Sequence, residues 1–151
     1  MTDGIKVVTT NRKARFTYRI EDTFEAGMVL TGTEVKSLRD GKVSLQEAHC
    51  RVENGEVFLY GMHINPYVHG THFNHDPMRV RKLLLNRREI RKLEKGTQQK
   101  GATIVPLRIY FKKGRAKVEI GLGTGKKLYD KRADIAERES KRRLDRIRKD
   151  A

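Results

Sequence analysis

Three histidines recur at every third position, His69, His72 and His75, with His63 and Asp76 close by. Three imidazoles are the ligand set of a catalytic zinc ion that activates water, as a metal-dependent nuclease would require. Gly70 and Asn74 interrupt the run, however, and no cysteine joins it. The segment therefore reads as a loop whose histidines pack and hydrogen-bond, and neither a metal nor another cofactor is expected. Nucleophilic chemistry has no better footing. Cys50 lies in the strand-like run His-Cys-Arg-Val, where a small buried thiol is the ordinary occupant. Ser37 and Ser44 stand outside any Gly-x-Ser-x-Gly turn, and there is no Walker loop or dinucleotide fingerprint. The alternation Gly121-x-Gly123-x-Gly125 is too little for a phosphate loop and is read as a flexible exit from the last strand. The chain is not expected to be an enzyme.

What the residues can do is hold polyanions. The 151-residue chain carries 34 Lys/Arg against 19 Asp/Glu, a formal charge of +15. Past Gly125, 11 Lys/Arg face 6 Asp/Glu, so the tail holds +5 and residues 1–125 hold +10. A compact chain of that charge repels itself unless a partner of opposite sign is present. The cations form three groups: Arg79, Arg81, Lys82, Arg87, Arg88, Arg91 and Lys92; Lys112, Lys113, Arg115 and Lys117; and the tail. Guanidinium forks and ammonium groups neutralise phosphates and release counterions, so nucleic acid is the expected partner, bound with steep salt dependence. In the tail, Tyr129 stands among Lys126, Lys127, Lys131 and Arg132, where its ring can stack on a nucleobase or pack back on the fold. A membrane is not expected as partner: no stretch approaches 20 apolar residues, the tail lacks an amphipathic face, and the N-terminus lacks an apolar signal region. A cytosolic chain with no internal disulfide follows, since Cys50 is the single cysteine.

These residues need a scaffold, and the pattern predicts mainly β structure. After a polar, irregular start over 1–14, Phe16, Tyr18 and Ile20 alternate as a strand, and Glu25-Ala26-Gly27 reads as a bend or bulge before a second strand at Met28-Val29-Leu30. Thr31 and Glu34 start a short helix that Asp40-Gly41 stops. A strand over 49–52, the turn pair Asn54-Gly55 and a strand from Val57 to Ile64 make a hairpin. Residues 65–78 form a long loop, Leu83 to Leu85 lead into a helix capped by Asn86 and Glu89 that weakens at Gly96 and ends near Gly101, and 104–111 and 116–122 form a second hairpin around Lys113-Gly114. About six strands and three helices are expected. A small antiparallel β-barrel of the oligonucleotide-binding (OB) type removes the sheet edges most simply and suits the charge. The tail, 126–151, has only Leu128, Ile135, Leu144 and Ile147 as large aliphatics, yet carries acid-before-base pairs such as Asp134 with Arg138 and Glu137 with Lys141. It is expected to be disordered when free and helical on a polyanion.

Three segments carry a resemblance. Thr31-Gly-Thr-Glu-Val-Lys-Ser-Leu-Arg39, Asn74-x-Asp-Pro-x-Arg-x-Arg-Lys-Leu-Leu-Leu85 and Gly125-Lys-Lys-Leu-Tyr-Asp-Lys-Arg132 resemble the signatures of the bacterial SsrA-binding protein family, also called small protein B. The likeness runs from about Asn11 to the end. It implies an OB-type barrel, transfer-messenger RNA as partner, and the rescue of ribosomes stalled on messages without a stop codon. The expected RNA-binding residues are Asn11, Lys13, Glu34, Lys36, Arg79, Arg81, Lys82, Leu93, Lys112 and Lys113. Of these, the resemblance puts Asn11, Glu34 and Leu93 on the surface that holds the transfer-RNA-like elbow. Glu34 would accept hydrogen bonds from a base edge or sugar, or pair with and orient a nearby cation. Gly125, Lys126, Lys127, Leu128, Tyr129, Asp130, Lys131 and Arg132 would enter the small-subunit decoding centre, the residues after Asp130 becoming helical in an empty message channel. The free protein is expected to be monomeric. The competing reading is a general single-strand-binding barrel in the manner of cold-shock domains.

Overall fold

The computed structural model describes residues 4–70, 74–126 and 138–142. The elements run β1 (Lys6–Thr10), α1 (Arg12–Thr17), β2 (Tyr18–Met28), α2 (Gly32–Arg39), β3 (Val43–Ser44), β4 (His49–Glu53), β5 (Glu56–Tyr60), β6 (His63–Ile64), β7 (Arg81–Leu84), α3 (Arg87–Gly96), β8 (Ala102–Lys112) and β9 (Arg115–Gly125). The chain is mainly β with a few short helices. Seven strands form one antiparallel sheet in the order β1-β8-β4-β5-β7-β2-β9, and β9 pairs back on β8. Six of them therefore close a ring, β8-β4-β5-β7-β2-β9, while β1 adds to β8 from outside and β3 and β6 form a separate pair. A ring leaves few sheet edges open to other chains.

The ring is filled by alternate side chains, and bulges decide which set points inward. In β8, Ile104 faces the main core, Val105 and Leu107 pack with Ala14 in a second cluster outside it, and Ile109 and Phe111 return to the main core. The parity switches at the irregularity between Pro106 and Arg108, where one residue is gained against β9. Proline has no N–H to give the ladder, so this is where β8 can best tolerate it. Leu59, Leu83, Val118 and Ile120 complete the centre, with Leu38 of α2 and Leu93 of α3 fully buried against them. The two helices sit at opposite ends of the β8–β9 hairpin. At its turn, Arg39 of α2 lies 4.6 Å from the centre of the Phe111 ring and donates to the Gly114 carbonyl. At its open end, Gly96 of α3 lies against Leu122.

Several expectations need correction. Residues 6–17 are not irregular: β1 pairs with β8, and α1 forms over Arg12–Thr17, taking in Phe16, where a strand was expected to begin. Asn11 caps α1 by accepting from the Ala14 amide, a start signal hidden because no acidic residue or apolar repeat follows it. Glu25-Ala26-Gly27 is not a bend; β2 runs unbroken to Met28, and its bulge falls instead between Ile20 and Asp22. The strand expected from Val57 to Ile64 divides at Gly61, whose φ of +76° turns β6 away to pair with β3. The third helix stops at Gly96 rather than near Gly101. Gly121 and Gly123 are not a flexible exit but lie inside β9, where a Cβ would meet Ile20 and the Arg19 carbonyl at under 3 Å. The Asn54-Gly55 hairpin, the second hairpin, the helix start at Thr31 and the Asn86–Glu89 capping box stand where they were expected.

Candidate nucleic-acid interface

The Glu34 carboxylate gathers three partners at the α2 end of the ring. Its helix begins with a capping box: the Thr31 hydroxyl accepts from the Glu34 amide, and the Glu34 carboxylate accepts from the Thr31 amide at 2.8 Å. The same carboxylate then takes two guanidinium groups. Arg81 Nε donates to Oε2 at 2.6 Å, and Arg79 Nη2 donates to Oε1 at 2.5 Å. Glu34 and Arg81 have no exposed surface, whereas the Arg79 side chain is about a third exposed. Burial alone would raise the Glu34 pKa, but Arg79, the Thr31 amide and Arg81 outweigh it and hold the carboxyl down at about 2. Arg81 finishes its hydrogen bonds on the carbonyls of Met62, Asp76 and Pro77, and Arg79 also donates to the Val29 carbonyl. His75 fixes the same loop, its Nδ1 bonded to the Thr33 hydroxyl and its Nε2 to the Ile64 carbonyl. One buried carboxylate thus ties α2 to the segment that enters β7.

The other expected RNA-binding residues divide between inside and outside. Asn11 is buried, its amide donating to the Pro106 and Leu45 carbonyls, so it locks α1 to β8. Leu93 is wholly inside the core. Glu34, Arg81 and Leu93 therefore present no free surface to a ligand, and Asn11 only a small part of its own. Lys36 and Lys113 are exposed; Lys13, Lys82 and Lys112 reach Glu47, Glu56 and Glu25 in surface ion pairs. Such pairs contribute little to stability and open readily to another anion. Gly125 ends β9 opposite Tyr18, and the Lys126 amide donates to the Thr17 carbonyl. Lys127, Leu128, Tyr129, Asp130, Lys131 and Arg132 lie outside the described residues, as does His72, so the histidine triplet is seen only at His69 and His75.

A surface that the sequence did not single out joins β7, β2, β9 and β8. Three exposed large apolar residues flank the β2–β7 pairing: Val29, whose amide donates to the Lys82 carbonyl, Val80 just before β7, and Leu84, the last 53% exposed. Leu84 pairs with Gly27, and a Cβ on Gly27 would lie 3.4 Å from Leu84 and 3.8 Å from Lys117 Nζ. Two residues back along β2, Glu25 accepts from the Tyr110 hydroxyl and pairs with Lys112 at 3.6 Å. That hydrogen bond, chiefly, lowers the Glu25 pKa, while burial and Glu25 raise that of Tyr110. A signal for this surface was present. In Leu83-Leu84-Leu85 on a strand, alternation turns one leucine outward when its neighbour faces the core.

Apolar side chains ringed by Arg79, Lys82, Lys112 and Lys117, on a small ring-like sheet, define a cationic β protein built for binding. The chain belongs to the SmpB protein family, whose model matches residues 8–150. It is 57% identical over 145 residues to the SsrA-binding protein of Desulfitobacterium hafniense, covering 96% of this chain and 93% of that one. It is 62% identical over 141 residues to the SsrA-binding protein of Acetivibrio thermocellus, covering 93% and 92%. Among solved structures it is similar to a chain described under "tmRNA-SmpB: a journey to the center of the bacterial ribosome", with a TM-score of 0.67 and 51% identity over 80% of this chain and 85% of that one.

Proposed function

We propose that the chain is an RNA-binding adaptor of trans-translation. It binds the transfer-RNA-like domain of transfer-messenger RNA, delivers that RNA to stalled ribosomes, and senses the empty message channel with its tail. The observation that carries this reading is that one family match runs through ring and tail alike, residues 8–150, and takes in all three signature segments. The ring of 1–125, in this reading an OB-type barrel, grips the RNA, and 126–151 is a basic tail that becomes helical on the ribosome. The protein acts in the cytoplasm as a monomer when free and does no chemistry of its own.

The RNA face is the β7-β2-β9-β8 surface. Leu84 and Val80 offer apolar contact to exposed bases or sugars, and Arg79, Lys82, Lys112, Lys113 and Lys117 meet phosphates. Lys13 and Lys36 extend the cationic rim. Asn11, Glu34, Arg81 and Leu93 act from within as positioning residues, Glu34 by holding Arg79 at the surface. Gly125 through Arg132 serve the decoding centre, with Tyr129 as a stacking face. A salt-titrated binding comparison between transfer-messenger RNA, ordinary transfer RNA and an unrelated single strand tests the reading. Preference for transfer-messenger RNA should persist at high salt, where non-specific phosphate contacts fade. Equal affinities at every salt concentration would instead identify a general single-strand binder.

A further inference from the structure

In the seven-stranded sheet, β1 is the one strand with a single partner. It pairs with β8 through Lys6–Thr10, and its other edge meets no strand among the described residues. An open edge presents backbone N–H and C=O groups to any chain that can lie along it. Beside β1 a cleft of about 330 Å³ opens toward the end of α2, with Lys6, Val7 and Val8 on one wall and Arg39, Asp40 and Gly41 on the other. Between them the lining is Leu38 and Phe111, both buried, and Val7 leaves 50% of its surface exposed. An open edge next to an apolar groove suits the addition of an extended peptide, whose backbone takes the edge and whose alternate side chains take the groove.

Charge selects the peptide. Lys6, Arg39, Lys42 and Arg115 are exposed at this end of the ring, Arg39 reaching the hairpin turn by donating to the Gly114 carbonyl at 3.5 Å. Among the described residues none of the four meets a carboxylate, whereas Lys13, Arg15, Lys82, Arg108 and Lys112 each do. Asp40 is the single acid lining the cleft among the described residues. We propose that β1 and the end of α2 form a docking groove for an acidic, extended segment of a partner protein. A lysine on the edge repels a second copy of this cationic chain and attracts a strand rich in Asp and Glu. The irregularity between Val7 and Thr9 leaves Val8 outside the ladder, which keeps the added strand short. Phosphates would answer the charge alone; the backbone edge and the apolar lining call for a peptide.

The test uses the full chain and a synthetic peptide, acetylated and amidated, of sequence Asp-Val-Glu-Val-Asp-Val-Glu, with valines on one face and carboxylates on the other. Calorimetry should show binding, and in two-dimensional NMR the amide signals of Lys6 to Thr10, Asp40 and Gly41 should move most. Two further peptides, each N-methylated at one alternate set of residues, keep the charge while losing donors on one side or the other. One of them should bind about tenfold more weakly and the other about as well as the parent, since only one set faces the edge. In the protein, Lys6→Gln with Lys42→Gln should weaken peptide binding about fivefold and leave the melting temperature and the affinity for transfer-messenger RNA unchanged. No peptide binding at millimolar concentration would overturn the inference. So would equal affinities for the two methylated peptides, which would mean attraction without strand addition. Displacement of the peptide from these same amides by an oligouridylate of matching charge, or a parallel loss of affinity for transfer-messenger RNA in the double variant, would make the groove an RNA contact and likewise overturn it.

Discussion

Arg81 Nε donates to Glu34 Oε2 at 2.6 Å with neither side chain exposed to solvent. Removing one partner of such a pair leaves the other charge buried and unpaired, which costs about 3–5 kcal/mol. Glu34→Gln keeps the shape and one acceptor but strands Arg81. It should lower the free energy of unfolding by about that amount in a denaturant titration, and it should weaken RNA binding further by freeing Arg79. Arg79→Gln, at a position about a third exposed, should lose RNA affinity with much less loss of stability. If Glu34→Gln folded as stably as its parent, the positioning role assigned to Glu34 would be wrong.

The same carboxylate sets an acid limit. Its folded pKa of about 2 lies below the ordinary 4.5, so folding favours the ionised form. That stability is fully present above about pH 4.5 and is lost as pH falls toward 2, about 3 kcal/mol in all. Melting temperature should therefore drop steeply across that window, and Glu34→Gln should flatten the drop. A parallel decline in both chains would assign acid sensitivity to other groups.

Close packing of β9 against β2 gives a steric prediction. A Cβ at Gly123 would lie 2.8 Å from the Arg19 carbonyl oxygen, a backbone atom that cannot swing aside. Gly123→Ala should destabilise the ring by about 1–3 kcal/mol, whereas Gly125→Ala, with open space around it, should change little. Thermal melts of the two variants side by side check the contrast.

Cys50 is buried between β5 and β8, and burial pushes its thiol pKa well above the ordinary value. Thiolate, the reactive form, is then scarce at neutral pH. An alkylating reagent should leave the native chain unmodified for hours and label it promptly in denaturant. Prompt native labelling would mean that this side of the ring opens.

These outcomes trace back to what local sequence encodes and what it does not. The helix start at Thr31–Glu34, the capping box at Asn86–Glu89 and the Asn54-Gly55 turn were legible because each is a contact within four residues. The family signatures were legible for a different reason, being matched as strings. The inward or outward fate of charged residues was not legible. Arg79 and Arg81 are two apart on one segment with the same chemistry and both pair with Glu34, yet Arg81 is buried with its remaining donors on the Met62, Asp76 and Pro77 carbonyls while Arg79 reaches the surface. Likewise β1 becomes a strand only because the end of β8 has an edge to offer, a fact absent from residues 6–10. Glycines at 121 and 123 read locally as freedom and are in fact sites where two strands crowd together.

Side wall and tail should prove separable. Leu84 is exposed on β7 opposite Gly27, so Leu84→Asp removes apolar contact and adds a like charge against phosphate without opening the core. Combined with Lys117→Gln, it should cut transfer-messenger RNA affinity by at least tenfold and leave the melting temperature within a few degrees. Alanine at Asp130, Lys131 and Arg132 should do the reverse, sparing RNA affinity while abolishing peptide tagging on stalled ribosomes. The logic is one of location: the wall is held by ladder hydrogen bonds from Glu25 to Gly27, whereas the signature segment begins at Gly125, at the far end of the β2–β9 ladder opposite Tyr18. Equal loss of RNA affinity in both variants would merge the two surfaces into one and end the proposed division of labour.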